Sequence, residues 1–175
     1  MKRFAVVYLV TLMLLAGCAA GKHHRLHAVT SACALRHCTL AEIARDVTDA
    51  DYRGEVGNLR GLSERLSKIS AESPNDADAR YWLGFAKWRI ALNWINDGAT
   101  RSDVDPVLIS ALAEFESLVA RDPRNVEAHA GIVGVLGARL FLSGGDAEVV
   151  QTAMQRGGPS LAALREPART NLRAA

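Results

Sequence analysis

Six side chains able to bind a metal, His23, His24, His27, Cys33, His37 and Cys38, fall within sixteen residues. Imidazole and thiolate suit zinc or copper, and His23 and His27 would share a face if this stretch were helical. No spacing in the cluster matches a known zinc site, and histidines in a polar stretch also serve simply as solvated side chains. The sequence therefore assigns no metal and no cofactor. A second constellation lies mid-chain. Asp78, Tyr81, Phe85 and Trp88 follow one another at intervals of three, four and three, which puts them on one helix face. Asn93 continues near that stripe, and Arg89 stands at its edge. Such a face can floor a ligand groove with Asp78 and Arg89 as polar anchors. The same spacing equally describes the buried stripe of a core helix. Trp82 and Trp94 fall on other faces, and that surplus of apolar surface points to an interface or a homo-oligomer.

Catalytic groupings are missing from the sequence. There is no Gly-x-Ser-x-Gly elbow, Walker loop, His-Glu-x-x-His or dinucleotide fingerprint. His129 could act as a base, but the sequence assigns it no nucleophile or acid. Asp76, Asp103, Asp105, Asp122 and Asp146 stand at turns and expected helix starts, where carboxylates cap free N–H groups. Gly131, Gly134 and Gly137 lie inside an apolar helical pattern with no strand before them, so they read as close helix packing rather than a phosphate loop. The chain is read as a non-enzyme.

The elements that must position these residues are helical. From Leu40 onward no apolar/polar alternation of the strand type is sustained. Thr39-Leu40-Ala41-Glu42 fits a capping box, and Leu59, Leu62, Leu66 and Ile69 recur at helical spacing up to Ser73-Pro74-Asn75-Asp76. Further helices are expected from Asp76 or Ala77 to about Asn96, from Asp103–Pro106 through Leu118, and from Val126 to about Leu142, ending at Ser143-Gly144-Gly145. A short last helix capped by Asp146 is expected to stop at Gly157-Gly158-Pro159, leaving residues 159–175 as a weakly structured tail.

The N-terminus reads as an export signal. Met1-Lys2-Arg3 is a positive start, Phe4 to Leu15 an uncharged apolar run, and that run is shorter than the ~20 residues a membrane span needs. Leu15-Ala16-Gly17-Cys18 resembles the lipobox of bacterial lipoproteins. The resemblance implies cleavage before Cys18, residues 1–17 as the signal peptide, and acylation of Cys18 on both thiol and amine, which together anchor stably. Ala19 in place of the Asp of lipoproteins kept at the inner membrane implies the outer membrane, periplasmic face. Residues 18–39 then read as a lipidated cysteine and flexible tether. In that oxidising compartment Cys33 and Cys38 are left as a disulfide pair. Cleavage also removes Lys2 and Arg3, so twenty-one basic residues become nineteen against nineteen acidic ones. A neutral mature chain has no basic footprint for nucleic acid.

An internal repeat organises the rest. Ser73-Pro74-Asn75-Asp76-Ala77-Asp78-Ala79 and Asp122-Pro123-Arg124-Asn125-Val126-Glu127-Ala128 match class by class, and Ala111, Phe115, Leu118 and Pro123 echo Leu62, Leu66, Ile69 and Pro74. With Leu83-Gly84 seven and eight positions into the unit, this resembles the tetratricopeptide repeat. Arg80 and Lys87 stand where that family has Trp and Tyr, Ile132-Val133 replaces the second Leu-Gly, and the prolines lie 49 apart rather than 34. The excess is expected in a longer first helix plus the Asn96–Pro106 connection. The resemblance implies an all-α, short array of antiparallel helix hairpins over residues 40–158. It also implies that the face carrying Asp78, Tyr81, Phe85, Trp88, Arg89 and Asn93 lines a concave groove for a peptide or partner helix. The function expected is a scaffold or accessory subunit of an envelope complex. The alternative is a periplasmic solute- or metal-binding accessory component of a transport system.

Overall fold

The computed structural model describes residues 39–173. Among them the chain is all-α, with six helices and no strand: α1 Leu40–Tyr52, α2 Val56–Glu72, α3 Ala77–Asn96, α4 Arg101–Arg121, α5 Val126–Ser143 and α6 Ala147–Arg173. The apolar N-terminal run, Cys18, the Cys33/Cys38 pair and His23, His24, His27 and His37 lie outside the described residues.

Local chemistry explains the helix starts. The Thr39 hydroxyl accepts from the Glu42 N–H at 3.3 Å, while the Thr39 N–H donates back to the Glu42 carboxylate at 2.8 Å, the reciprocal box that the sequence suggests. The two matched turns have the same geometry. The Ser73 N–H donates to Ile69 O and the Asp76 N–H to Ser73 O; 49 residues later Asp122 donates to Leu118 O and Asn125 to Asp122 O. The side chains of Asp76 and Asn125 then cap α3 and α5 by accepting from the N–H groups of Ala79 and Ala128 at 3.0 and 2.8 Å. Arg121 ties one turn to the other by donating to the carbonyl of Pro74.

Three expectations differ from what is observed. Helix α4 begins at Arg101, before Asp103–Pro106, because the Thr100 N–H and hydroxyl both bind the Asp103 carboxylate, at 2.8 and 2.6 Å, and make an earlier cap. Pro106 is carried inside the helix at the loss of one backbone bond. The loop Asp97–Thr100 is consequently short, and the added length sits in α3 and α4, of 20 and 21 residues. Most plainly, Gly157-Gly158-Pro159 does not stop the last helix, which runs on to Arg173. Ala153, Gly157 and Ser160 form a buried stripe while Pro159 faces solvent. Packing of that stripe on α5 therefore outweighs the missing proline N–H, whose gap opens away from the core. The sequence pattern also leaves unmarked the break between α1 and α2, where Gly54 adopts φ +69°, a left-handed conformation favouring glycine.

Each helix packs on the next in chain order, and α3 additionally touches α1 and α5. Short connections between helices packed side by side reverse the chain each time, which sets α3 between α1 and α5. Two core clusters meet at α3. Ile43, Val47, Leu59, Leu62 and Leu66 pack with Leu83, Ala86 and Ile90 on one side; Leu108, Leu112, Phe115, Leu118, Ile132 and Val135 pack with Ala91 on the other. Helix α5 is long and apolar enough to cross a membrane by length and composition, yet it packs on α3, α4 and α6 and its Arg139 binds Asp105 of α4 through two bonds of 2.7 and 3.1 Å. Within these contacts 33% of the helix is buried.

Phe115 is fully buried between two glycines. A Cβ at Gly84 would stand 3.2 Å from its ring, and one at Gly131 only 2.6 Å. Gly131→Ala should therefore destabilise the domain by about 1–3 kcal/mol through overpacking. Gly61→Ala, on exposed helix surface with nothing within 4 Å, should stabilise by about 0.5–1 kcal/mol. Urea unfolding of the two variants checks this opposite sign.

Candidate functional site

The mid-chain stripe is built by α3, which Asp76 caps and the two core clusters hold from both sides. Its aromatic residues form a continuous ladder. Tyr81 and Phe85 are stacked at 6.2 Å between ring centroids, Trp82 meets Phe85 edge-on at 5.5 Å, and Phe85 meets Trp88 edge-on at 6.0 Å. All four rings are half-buried. Their undersides rest on the core, with Tyr81 edge-on to Phe115 at 5.8 Å, and a Cβ at Gly134 would collide with the Trp88 ring. Each of the four residues keeps part of its surface exposed. The core-stripe reading of the spacing describes the sides of the rings that pack on Phe115 and Gly134. Asp78 is exposed beside the ladder in the first turn of α3.

The expected polar anchors are largely committed to the fold. Arg89 Nε donates to Asp51 Oδ1 at 2.6 Å, and Asn93 Nδ2 donates to the same oxygen at 2.8 Å and to Arg89 O at 3.0 Å. Asn93 is only 8% exposed, so it is a strut between α3 and α1 rather than a groove contact. Arg89 keeps one outward role, its guanidinium lying 5.6 Å from the Trp88 ring centroid. Sequence reasoning missed Asp51, because nothing in its neighbourhood signals a partner 38 residues away. Arg80 and Lys87 bind the two oxygens of Glu114 on α4, at 3.0 and 2.8 Å. Trp88 Nε1 is buried with no hydrogen-bond partner.

His129 finds the partner that the sequence could not name. Its Nδ1 lies 3.0 Å from Ser160 Oγ and its Nε2 2.9 Å from the carbonyl of Pro123. The carbonyl can only accept, so Nε2 donates to it, while Nδ1 and the serine hydroxyl share the second bond. Both residues are buried, at 5% and 3% exposure, so this hydroxyl–imidazole pair is closed to a substrate and ties α6 to α5. Among the described residues no group of three or more His, Cys, Asp or Glu side chains could hold a metal ion.

Burial, and secondarily the Glu127 carboxylate, push the Tyr81 phenol above its ordinary value. Comparison with protein-family models finds no match, and neither curated proteins nor solved structures match the chain.

Two outcomes follow from this geometry. Asp51→Ala should cost about 1–3 kcal/mol in denaturant unfolding, since it strips the shared acceptor from a part-buried guanidinium and a buried amide. Because the fold holds Tyr81 neutral, stability should be intact below the usual tyrosine value of about 10 and fall as pH rises through the higher folded value. Tyr81→Phe should flatten that decline in urea midpoints measured across the alkaline range.

Proposed function

We propose that this chain is a lipoprotein anchored through Cys18 at the periplasmic face of the outer membrane. Its helices form a short tetratricopeptide-like array that docks a peptide segment or helix of an envelope complex. The observation that carries this reading is the half-buried aromatic ladder Tyr81–Phe85–Trp88 on the α3 face, with Asp78 exposed at one end and Arg89 beside Trp88. Rings fixed by packing and still partly exposed offer apolar area at small entropic cost, as recurs at protein-binding surfaces. Three further features support the array. The turns at Ser73–Asp76 and Asp122–Asn125 repeat the same backbone and helix-capping bonds. Gly84 admits the close approach of α4. Helix α3 lies between α1 and α5, and Asp78, Tyr81, Phe85 and Trp88 occupy the positions that line the concave side in such repeats. The Leu15–Cys18 sequence supports the anchor. Arg80 and Lys87, standing where the repeat family has aromatic residues, replace their packing with the ion pairs to Glu114.

The test is a photo-reactive phenylalanine analogue placed at position 81 in the full chain in cells, with position 64 on the exposed face of α2 as the reference. A discrete adduct to one envelope protein from position 81 alone is the expected result. Equal or no adducts from the two positions would sink the docking face. Inhibiting lipoprotein signal processing should leave an uncut precursor; unchanged mobility in that assay would remove the anchor.

A further inference from the structure

Helix α6 is fastened unevenly along its length. Its first part is held in three ways. Asp146 caps it by accepting from the Glu148 N–H at 3.0 Å, Ala153 is buried in the core cluster, and Arg156 binds Glu116 of α4 through two bonds of 2.8 and 2.6 Å. After Pro159 the fastening changes. Among residues 160–165 only the Ser160 side chain is buried, while Ala163 and Leu164 are half-buried. Leu161 is 42% exposed where it lines an apolar cleft between α5 and α6. The 3.0 Å bond from Ser160 Oγ to His129 Nδ1 is the one side-chain hydrogen bond that joins these residues to another described helix. Between the two parts lie Gly157, Gly158 and Pro159, the residue types with the poorest helix propensity. Pro159 also leaves the Gln155 carbonyl without its helical donor.

We propose that the part of α6 after Pro159 is a hinged arm, latched shut by the Ser160–His129 hydrogen bond. The hinge is Gly157-Gly158-Pro159, where the helix gives up a backbone bond and two glycines resist bending least. The pivot has room, since a Cβ at Gly158 would meet nothing within 4 Å and Pro159 faces solvent. The catch stands apart from the arm. His129 sits in the first turn of α5, and its Nε2 is held at 2.9 Å by the Pro123 carbonyl, a contact in which α6 takes no part. Releasing the arm therefore breaks one polar contact and exposes little apolar surface, whereas releasing the first part would pull Ala153 out of the core. A freed arm has the length at which isolated helices are marginal in water, so it frays once open. Helices α1–α5 and Ala147–Arg156 stay folded, which makes this a sub-global opening and not an unfolding of the domain. The latch decides whether the His129 imidazole, 5% exposed when the arm is shut, is presented to the surroundings.

The experiment is native-state hydrogen exchange of the full chain in neutral detergent, read by mass spectrometry beside carbethoxylation of His129. Wild type, Ser160→Ala and Gly158→Ala are compared. In wild type, the amides of residues 160–165 should exchange about tenfold or more faster than those of Ile132–Leu136, with a step at Gly157–Pro159. Ser160→Ala removes the latch and should speed exchange of 160–165 and modification of His129 together, about threefold to tenfold, leaving Ala147–Arg156 unchanged. Gly158→Ala stiffens the hinge without a clash and should slow both by about fivefold. Exchange that rises smoothly toward the C-terminus without a step is plain end-fraying and overturns the proposal. Protection of 160–165 equal to that of Ile132–Leu136 overturns it as well, as does a Ser160→Ala effect spread equally over α5 and α6.

Discussion

The arrangement turns on the space around one ring. Phe115 is fully buried only because α3 and α5 each present a glycine to it, Gly84 from one side and Gly131 from the other. Side chains at either position would push a helix outward, since interiors are packed too tightly to absorb an added methyl freely. With the ring seated, α3, α4 and α5 close into one cluster, and Tyr81 comes to rest edge-on against it. The face proposed for docking is thereby set by the core beneath it: Tyr81 rests where Phe115 places it.

Helix α3 shows the consequence. It is covered by α1 and α2 on one side and by α4 and α5 on the other, which leaves it little surface for solvated charge. Apart from the exposed Asp78, its charged residues are accordingly spent on neighbours. Arg80 and Lys87 share Glu114, and Arg89 shares Asp51 with Asn93. Partly buried pairs of this kind add little net stability, but losing one partner strands the other. They fix the rotation of α3 about its axis, and with it the direction in which Tyr81, Phe85 and Trp88 present their exposed surface. The docking role proposed for that surface depends on that fixed rotation.

The C-terminal helix obeys a different balance. Gly157-Gly158-Pro159 would end an isolated helix, yet α6 passes through it. His129 and Ser160 close the buried side with complementary hydrogen bonds, and Gly157 lies near Leu136. Both glycines also line the apolar cleft between α5 and α6, so one local feature permits the close packing and shapes that cleft.

Helix class, the Thr39 capping box, the paired turns and the stop at Gly144, where φ is +61°, were legible in the residues because each depends on groups within a few positions of one another. The shared face of Asp78, Tyr81, Phe85 and Trp88 was legible for the same reason, since helical periodicity is local. Which side of those rings is buried was not, because Phe115 and Gly134 approach them from other helices. Asp51 as the holder of Arg89 and Asn93, and Ser160 as the partner of His129, likewise depend on chain reversals that bring residues 38, 42 and 31 positions apart into contact. The continuation of α6 past Pro159 was misread because local propensity was weighed without the face that α5 supplies. Short-range hydrogen bonding and periodicity are written in neighbouring residues; burial and pairing belong to the packed helices, and only their packing could decide them.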